Sequence, residues 1–334
     1  MTQTTAYPSA RVDRDRFVLE RRPLRPQLDP WRHQGVLIEE ERAADGRIVD
    51  VATIFLTGRE CPWRCVMCDL WQHTIPADTP HGALVRQLDD ALEALTARGT
   101  FPPHVKLYNA GNFFDPRAVP ESDYDAMAQR LVSFRHVIVE SHPVLVGERL
   151  ARFKTALTRA ARGADAPTLE VAMGLETSHP DALDRLNKGF TPEQFARAAD
   201  RLHLHGAALR VFLLVGVPFI VPSEQQEWIA RSVAFAFDCG AGVVSLIPTR
   251  AGNGALEALG APTPTLGDLE MALERALRAA RGRVFADLWD LQRFADCLSC
   301  FRERHDRLRL MNLDQHPRPP VACVRCGTTP GHAA

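Results

Sequence analysis

The sequence has no run of about eighteen apolar residues, so no segment reads as a helix that spans a bilayer, and a membrane is not an expected partner. It has no surplus charge of either sign. Its 40 Lys and Arg stand against 41 Asp and Glu, for a formal net charge of -1. That excludes attraction to nucleic acid through the field of the whole molecule and leaves only a local patch for such a role. The stretch from Met1 to Arg22 is polar, with early acids and no apolar h-region, which is not the pattern of a secretory signal. Cytoplasm is the expected compartment. Lysine is scarce in this Arg-rich chain: only Lys106, Lys154 and Lys188.

Cysteine is not scarce. There are 8, and in a reducing compartment clustered cysteines read as metal or redox ligands rather than disulfides. Cys61, Cys65 and Cys68 form one cluster, and Cys297, Cys300, Cys323 and Cys326 another. Cys239 stands alone in an apolar stretch and reads as packing.

Residues 1–34 are rich in Arg and Pro, with no clear period, and read as irregular structure wrapped on the body or as partial disorder. Residues 35–57 read as a hairpin with Asp45-Gly46 at its turn. Six short apolar strands then recur, at 51–57, 104–109, 136–140, 168–175, 208–216 and 243–248. Each is followed by a helical pattern, at 82–98, 121–133, 147–162, 191–205, 223–238 and 267–281. Pro120-Glu-Ser, Thr191-Pro192-Glu193 and Pro222-Ser-Glu signal helix starts. Six β-α units imply a parallel sheet, here a partial (β/α)6 barrel, with its site at the C-terminal ends of the strands. The expected organisation is an N-terminal extension over 1–50, an α/β core over 51–281, and a small Cys-rich extension over 282–334.

Cys61, Cys65 and Cys68 follow directly on the first strand, spaced by three residues and then two. Three thiolates on one tight loop can hold three irons of a cubane and leave the fourth open to a substrate or cofactor. Structural zinc wants four ligands, usually in two pairs, and fits a lone trio poorly.

This loop resembles the cluster motif of the radical S-adenosylmethionine superfamily. The resemblance implies a [4Fe-4S] cluster that binds the amine and carboxylate of S-adenosylmethionine. It implies reductive cleavage to a 5′-deoxyadenosyl radical, hydrogen abstraction from a substrate, and an electron donor such as a flavodoxin or ferredoxin. Met67 stands where the family usually has an aromatic residue, and is suited to pack on adenine. Asn109-Ala-Gly111-Asn112 resembles the family's glycine-rich stretch near the methionine moiety. Glu140-Ser-His142-Pro143 resembles the Glu-(Ser/Thr)-Arg-Pro stretch of the branch with the Elongator catalytic subunit and tRNA methylthiotransferases, with His142 in place of Arg. A lone His is structural more often than catalytic. Gly174-Leu-Glu176-Thr-Ser178 and Lys188 resemble the segment of that branch that contacts ribose and carboxylate. Glu176 is suited to the ribose hydroxyls and Lys188 to the carboxylate. The stretches around Gly216 and Pro218, and around Pro248, resemble backbone that lines the adenine pocket. The resemblance covers about residues 50–280 and leaves the group that acts on substrate unnamed.

Leu107 to Asp115, Glu140 to Pro143 and Asn187 to Phe190 look like the radical enzyme of archaeosine synthesis. That likeness implies a lysine-bearing 7-deazaguanine nucleotide in tRNA as substrate. A small metabolite or a peptide is the alternative, and a non-catalytic iron–sulfur or zinc scaffold is a third reading. The CxxC pairs at Cys297/Cys300 and Cys323/Cys326 fit zinc or an auxiliary [4Fe-4S] cluster. Between them, Phe301 to Arg309 reads either as a phosphate-binding stretch or as a solvated helix face.

Overall fold

A computed structural model describes residues 7–279 and 281–326. One eight-stranded sheet, in the order β1-β2-β3-β4-β5-β6-β7-β8, organises the chain. β1 (Gly35–Arg42) and β2 (Ile48–Phe55) form the antiparallel hairpin, with Gly46 at φ +84° in its turn, where a Cβ would be strained. β3 (His104–Tyr108), β4 (His136–Glu140), β5 (Thr168–Glu176), β6 (Ala208–Val215) and β7 (Ala241–Pro248) continue it in parallel. These are the expected strands to within a few residues. β8 (Arg283–Ala286) was not expected, and it too pairs in parallel.

Helices α2 (Ala83–Ala97), α3 (Tyr124–Leu131), α4 (Glu148–Ala160), α6 (Pro192–Leu204), α7 (Gln225–Asp238) and α9 (Leu266–Ala279) lie on the outer face. Short α5 (Pro180–Arg185) and α8 (Ala255–Ala258) sit in connections. The Thr191 signal holds: its hydroxyl accepts from Gln194 N–H, Gln194 reaches back to Thr191 N–H, and Pro192 opens the helix. Outward strand residues such as Leu107, Val139, Val171 and Leu213 are fully buried beneath these helices.

The N-terminal region corrects the sequence reading. Instead of wholly irregular chain, it contains α1 (Arg11–Arg21), which buries only Arg14, Phe17 and Val18. Three residues on one face leave too little apolar period to be seen in a sequence.

The inner face alternates with the outer, as the period of two requires. Its lower layer is ionic. Arg210 donates to Glu170 at 2.5 Å and to Glu41 at 2.5 Å, and Lys106 lies 2.8 Å from Glu41. These cations hold both carboxyls low, Glu170 down to about 2. Tyr108 and Phe212 make the next layer, ring centroids 6.2 Å apart. The upper layer faces the candidate site.

The curl leaves two edges, β1 and β8, and α10 (Phe301–Asp314) lies along both. Asn312 pairs both backbone groups of Ala286, donating to its O and accepting from its N–H at 2.8 Å each. Gln315 does the same to Val284, at 2.9 and 2.7 Å. On the other edge, Arg42 donates to Leu313 O at 3.0 Å. Two amide side chains thus stand in for a ninth strand and satisfy an edge that would otherwise be bare.

Candidate cofactor and metal sites

The loop after β2 carries Cys61, Cys65 and Cys68 at the C-terminal end of the sheet, and four independent clamps fix it. Glu60 pairs with Arg22 at 2.7 Å, with Arg64 at 3.1 Å, and with Arg25. Asn187, buried and at φ +63°, donates to Arg64 O at 2.9 Å and to Asp15 of α1 at 2.7 Å. From the opposite side, buried Asn253 donates to Val66 O and to Cys68 O. The fourth clamp is a stack: Trp63 lies on His142 with centroids 3.6 Å apart and planes 12° from parallel. None of these clamps followed from the motif itself. Asn187 and Asn253 reach the loop from 123 to 187 residues away, and only their turn-forming Asn-Lys-Gly and Gly-Asn-Gly contexts could have drawn notice.

His142 therefore has a structural place. Its Nε2 faces Lys188 O at 2.9 Å, so it carries the proton, and its Nδ1 accepts from Val144 N–H at 3.3 Å. Protonating Nδ1 would break the second bond. Burial and the nearby Lys188 cation also lower the imidazole, to about 3.

Burial pushes the Cys61, Cys65 and Cys68 thiols up to about 12. Bare thiolates are disfavoured there, so a positively charged partner is needed to hold them ionised. Lys188 lies close enough to lower Cys65.

Around this loop the strand ends bring most of the expected residues together. Glu140 of β4 faces the Asn109-Ala110-Gly111 turn. Burial drives its carboxyl up to about 7 against the pull of those three backbone N–H groups, and its Oε1 has no partner. Asn109 is fully buried with neither amide atom bonded, and Thr249, just past β7, has an orphaned buried hydroxyl. Unpaired buried polar atoms cost about 1–3 kcal/mol each, and native structures keep few of them. A cluster of them at the strand ends fits a polar ligand. Glu176, at φ +68°, accepts from Lys188 Nζ at 2.8 Å, both buried. A Cβ on Gly174 would stand 2.4 Å from the Glu176 carboxylate, so glycine makes room for this pair. Met67 packs in an apolar group with Val66, Leu214, Val217 and Ile247. The acidic, amide and lysine groups beside this apolar wall suit S-adenosylmethionine, and the trio suits a [4Fe-4S] cluster.

Other expected residues make contacts within the protein. A Cβ on Gly111 would come within 2.9 Å of Arg59 O, so this glycine admits the cluster loop's own backbone. Gly216 similarly gives way to Pro264, whose ring would lie 2.7 Å from a Cβ there. Ser178 is engaged by Ser232, which binds both its N–H (2.9 Å) and its hydroxyl (3.1 Å). Gln225 occupies both backbone groups of Val217, next to Pro218. Pro248 ends β7 and is buried.

The second cysteine group forms a separate centre. Cys297, Cys300, Cys323 and Cys326 bring their sulfurs within 4.8 Å of one another. The arginines of the intervening helix are largely spoken for: Arg304 pairs with Glu270 at 2.7 Å, Arg307 with Glu274 at 2.5 Å, and Arg309 with Glu40 at 3.2 Å. Residues 301–309 are helical, but Arg304 and Arg307 are packed against acids rather than solvated.

No protein-family model matches the sequence. Over 190 residues the chain is 27% identical to archaeosine synthase subunit beta of Methanosarcina acetivorans, covering 54% of this chain and 52% of that one. It is 29% identical over 175 residues to archaeosine synthase subunit beta of Thermococcus kodakarensis, 51% of each. The chain thus spans about half the length of these curated relatives. Among solved structures, methylornithine synthase shares the fold with a TM-score of 0.52 at 12% identity, over 77% of this chain and 68% of the other. Half-barrel, cysteine trio and likenesses agree with the resemblance of the cluster loop to the radical S-adenosylmethionine superfamily of enzymes. By sequence the chain is similar to the beta subunits of archaeosine synthase.

Proposed function

We propose that this enzyme abstracts hydrogen from a modified nucleotide in tRNA, using S-adenosylmethionine held at the end of the half-barrel. The observation that carries the reading is the conjunction of a clamped cysteine trio with the orphaned polar atoms of Asn109 and Glu140 beside it. The trio holds a [4Fe-4S] cluster, which when bound supplies one electron for reductive cleavage of S-adenosylmethionine to a 5′-deoxyadenosyl radical. The chain's share is positioning and exclusion of water. Glu140 takes the ammonium group as a carboxylate. Lys188 takes the carboxylate, exchanging it for its bond to Glu176, which is then free to accept from ribose. Met67, Leu214 and Ile247 line the adenine side. The Gly216–Pro218 and Pro248 segments act through their backbones and shape this wall.

The tRNA substrate rests on the likeness to archaeosine synthase subunit beta and on the resemblance read in the Asn187-Lys-Gly-Phe190 stretch. The same likeness supports a second subunit as partner. A flavodoxin or ferredoxin is the fitting electron donor, and the reducing cytoplasm the fitting compartment.

The test is 5′-deoxyadenosine formation by anaerobically reconstituted protein with dithionite, with and without bulk tRNA. Formation should rise with tRNA and vanish in Cys65→Ala. Formation indifferent to tRNA and to the nucleosides in it sinks the substrate. No formation from a protein with an intact cluster sinks the radical chemistry.

A further inference from the structure

The four cysteines at the far end of the chain take no part in that chemistry. Cys297 and Cys300 sit on the turn that leads into α10, and Cys300 is its N-cap residue. The chain then turns back along the helix. Arg307 holds this return by donating to Arg318 O (3.1 Å) and Pro319 O (2.8 Å), which carries Cys323 and Cys326 to the first pair. We propose that the four thiolates form a closed zinc site, distinct from any iron–sulfur centre, that staples α10 across the two edges of the sheet.

Spacing decides the metal. Zinc bonds thiolate at about 2.3 Å, so a tetrahedral set puts its sulfurs about 3.8 Å apart. All four sulfurs here lie within 4.8 Å of one another, and Cys300 and Cys326 are 3.5 Å apart. A cubane gives each thiolate its own iron at a separate corner, which spreads the sulfurs well beyond the reach of one ion. The chain contains that contrast: Cys61, Cys65 and Cys68 are not gathered within 4.8 Å, and among the described residues the quartet is the one group of ligand type that is. Soft thiolates select zinc over magnesium or calcium. Four protein ligands leave no open position, which makes the site structural and redox-inert.

The site has a mechanical consequence. It ties the turn before α10 to the segment that returns past Arg307, so both ends of this unit are fixed. The unit carries Asn312 and Gln315, whose amides pair with Ala286 and Val284 of β8. Loss of the metal frees the return segment and loosens this cover.

Metal content by mass spectrometry tests the proposal on the full chain. Reconstituted protein should carry about one zinc and about four irons. The Cys323→Ser/Cys326→Ser variant should lose the zinc and keep the irons and the cluster's electron-spin signal. Retained iron shows that the variant has folded, so its zinc loss can be read. As a second measurement without mutation, cobalt grown into the wild type should give the ligand-field bands of a tetrahedral thiolate centre. Chelation should then speed hydrogen exchange at the Val284 and Ala286 amides. Iron near eight in the wild type, falling by half in the variant, overturns the assignment, as does an absence of both zinc and cobalt binding. Unchanged exchange after chelation overturns the staple.

Discussion

Glu140 and His142, two residues apart on one turn, show how burial sends two titrating groups to opposite fates. Burial holds the imidazole of His142 neutral, and both its nitrogens are used. It does not carry charge to the cofactor; it supports Trp63 and so the loop between Cys61 and Cys65. Burial raises Glu140 to about 7 and leaves an oxygen unpaired. The folded value lies above the ordinary 4.5, so ionised Glu140 opposes folding, by an amount that grows as pH rises from 4.5 to about 7. Glu140→Gln should therefore raise the melting temperature at about pH 8 and leave it unchanged at about pH 4. The same variant should bind S-adenosylmethionine at least about tenfold more weakly, because a charge-assisted bond to the ammonium is lost. Calorimetric titration and a pH series of melts read the two effects separately. A variant that binds as well as the parent removes Glu140 from the cofactor site.

At the scale of elements, the repeats were legible because each strand is an apolar run and helices such as α6 announce their starts. Thr191-Pro192 needed no tertiary context to be read. β8 has four residues beside an Arg-rich stretch, and α1 has one small apolar face, so neither had a pattern to find. The clamps of the cluster loop were illegible for another reason: Asn187 and Asn253 act across 123 to 187 residues, and spacing in sequence says nothing of that. Nor did the motif reveal that Gly111 and Gly216 make room for protein, or that Ser178 is bound by Ser232. The cover over β8 also depends on single amides. Replacing Asn312 with Ala leaves two backbone groups of Ala286 without partners and should cost about 1–3 kcal/mol. Denaturant melts of Asn312→Ala and Gln315→Ala should each shift to that extent. A shift below a few tenths would show that water serves the edge equally well.

The whole molecule stands on an ionic floor under the candidate cofactor site. Arg210, Lys106, Glu41 and Glu170 balance two positive against two negative charges, with almost no solvent between them. Removing one member leaves the rest uncompensated, so Arg210→Met should destabilise by about 3–5 kcal/mol. The sign in pH is also fixed. Glu170 is held near 2, below its ordinary 4.5, so its contribution is complete above 4.5 and drains away as pH falls toward 2. The parent's stability should fall steeply across that window, and Arg210→Met should show a flatter acid limb. Equal slopes in acid melts of the two proteins would remove the floor's role.

The closing helix has a consequence for synthesis. The chain leaves the ribosome from its N-terminus, so β1 exists long before β8, and β8 before Asn312 and Gln315. Until residues 301–315 emerge, the growing half-barrel exposes two strand edges that any neighbouring polypeptide can extend. The nascent chain is most prone to aggregate while the strand ends of the candidate site are already formed, and a chaperone would be most useful in that interval.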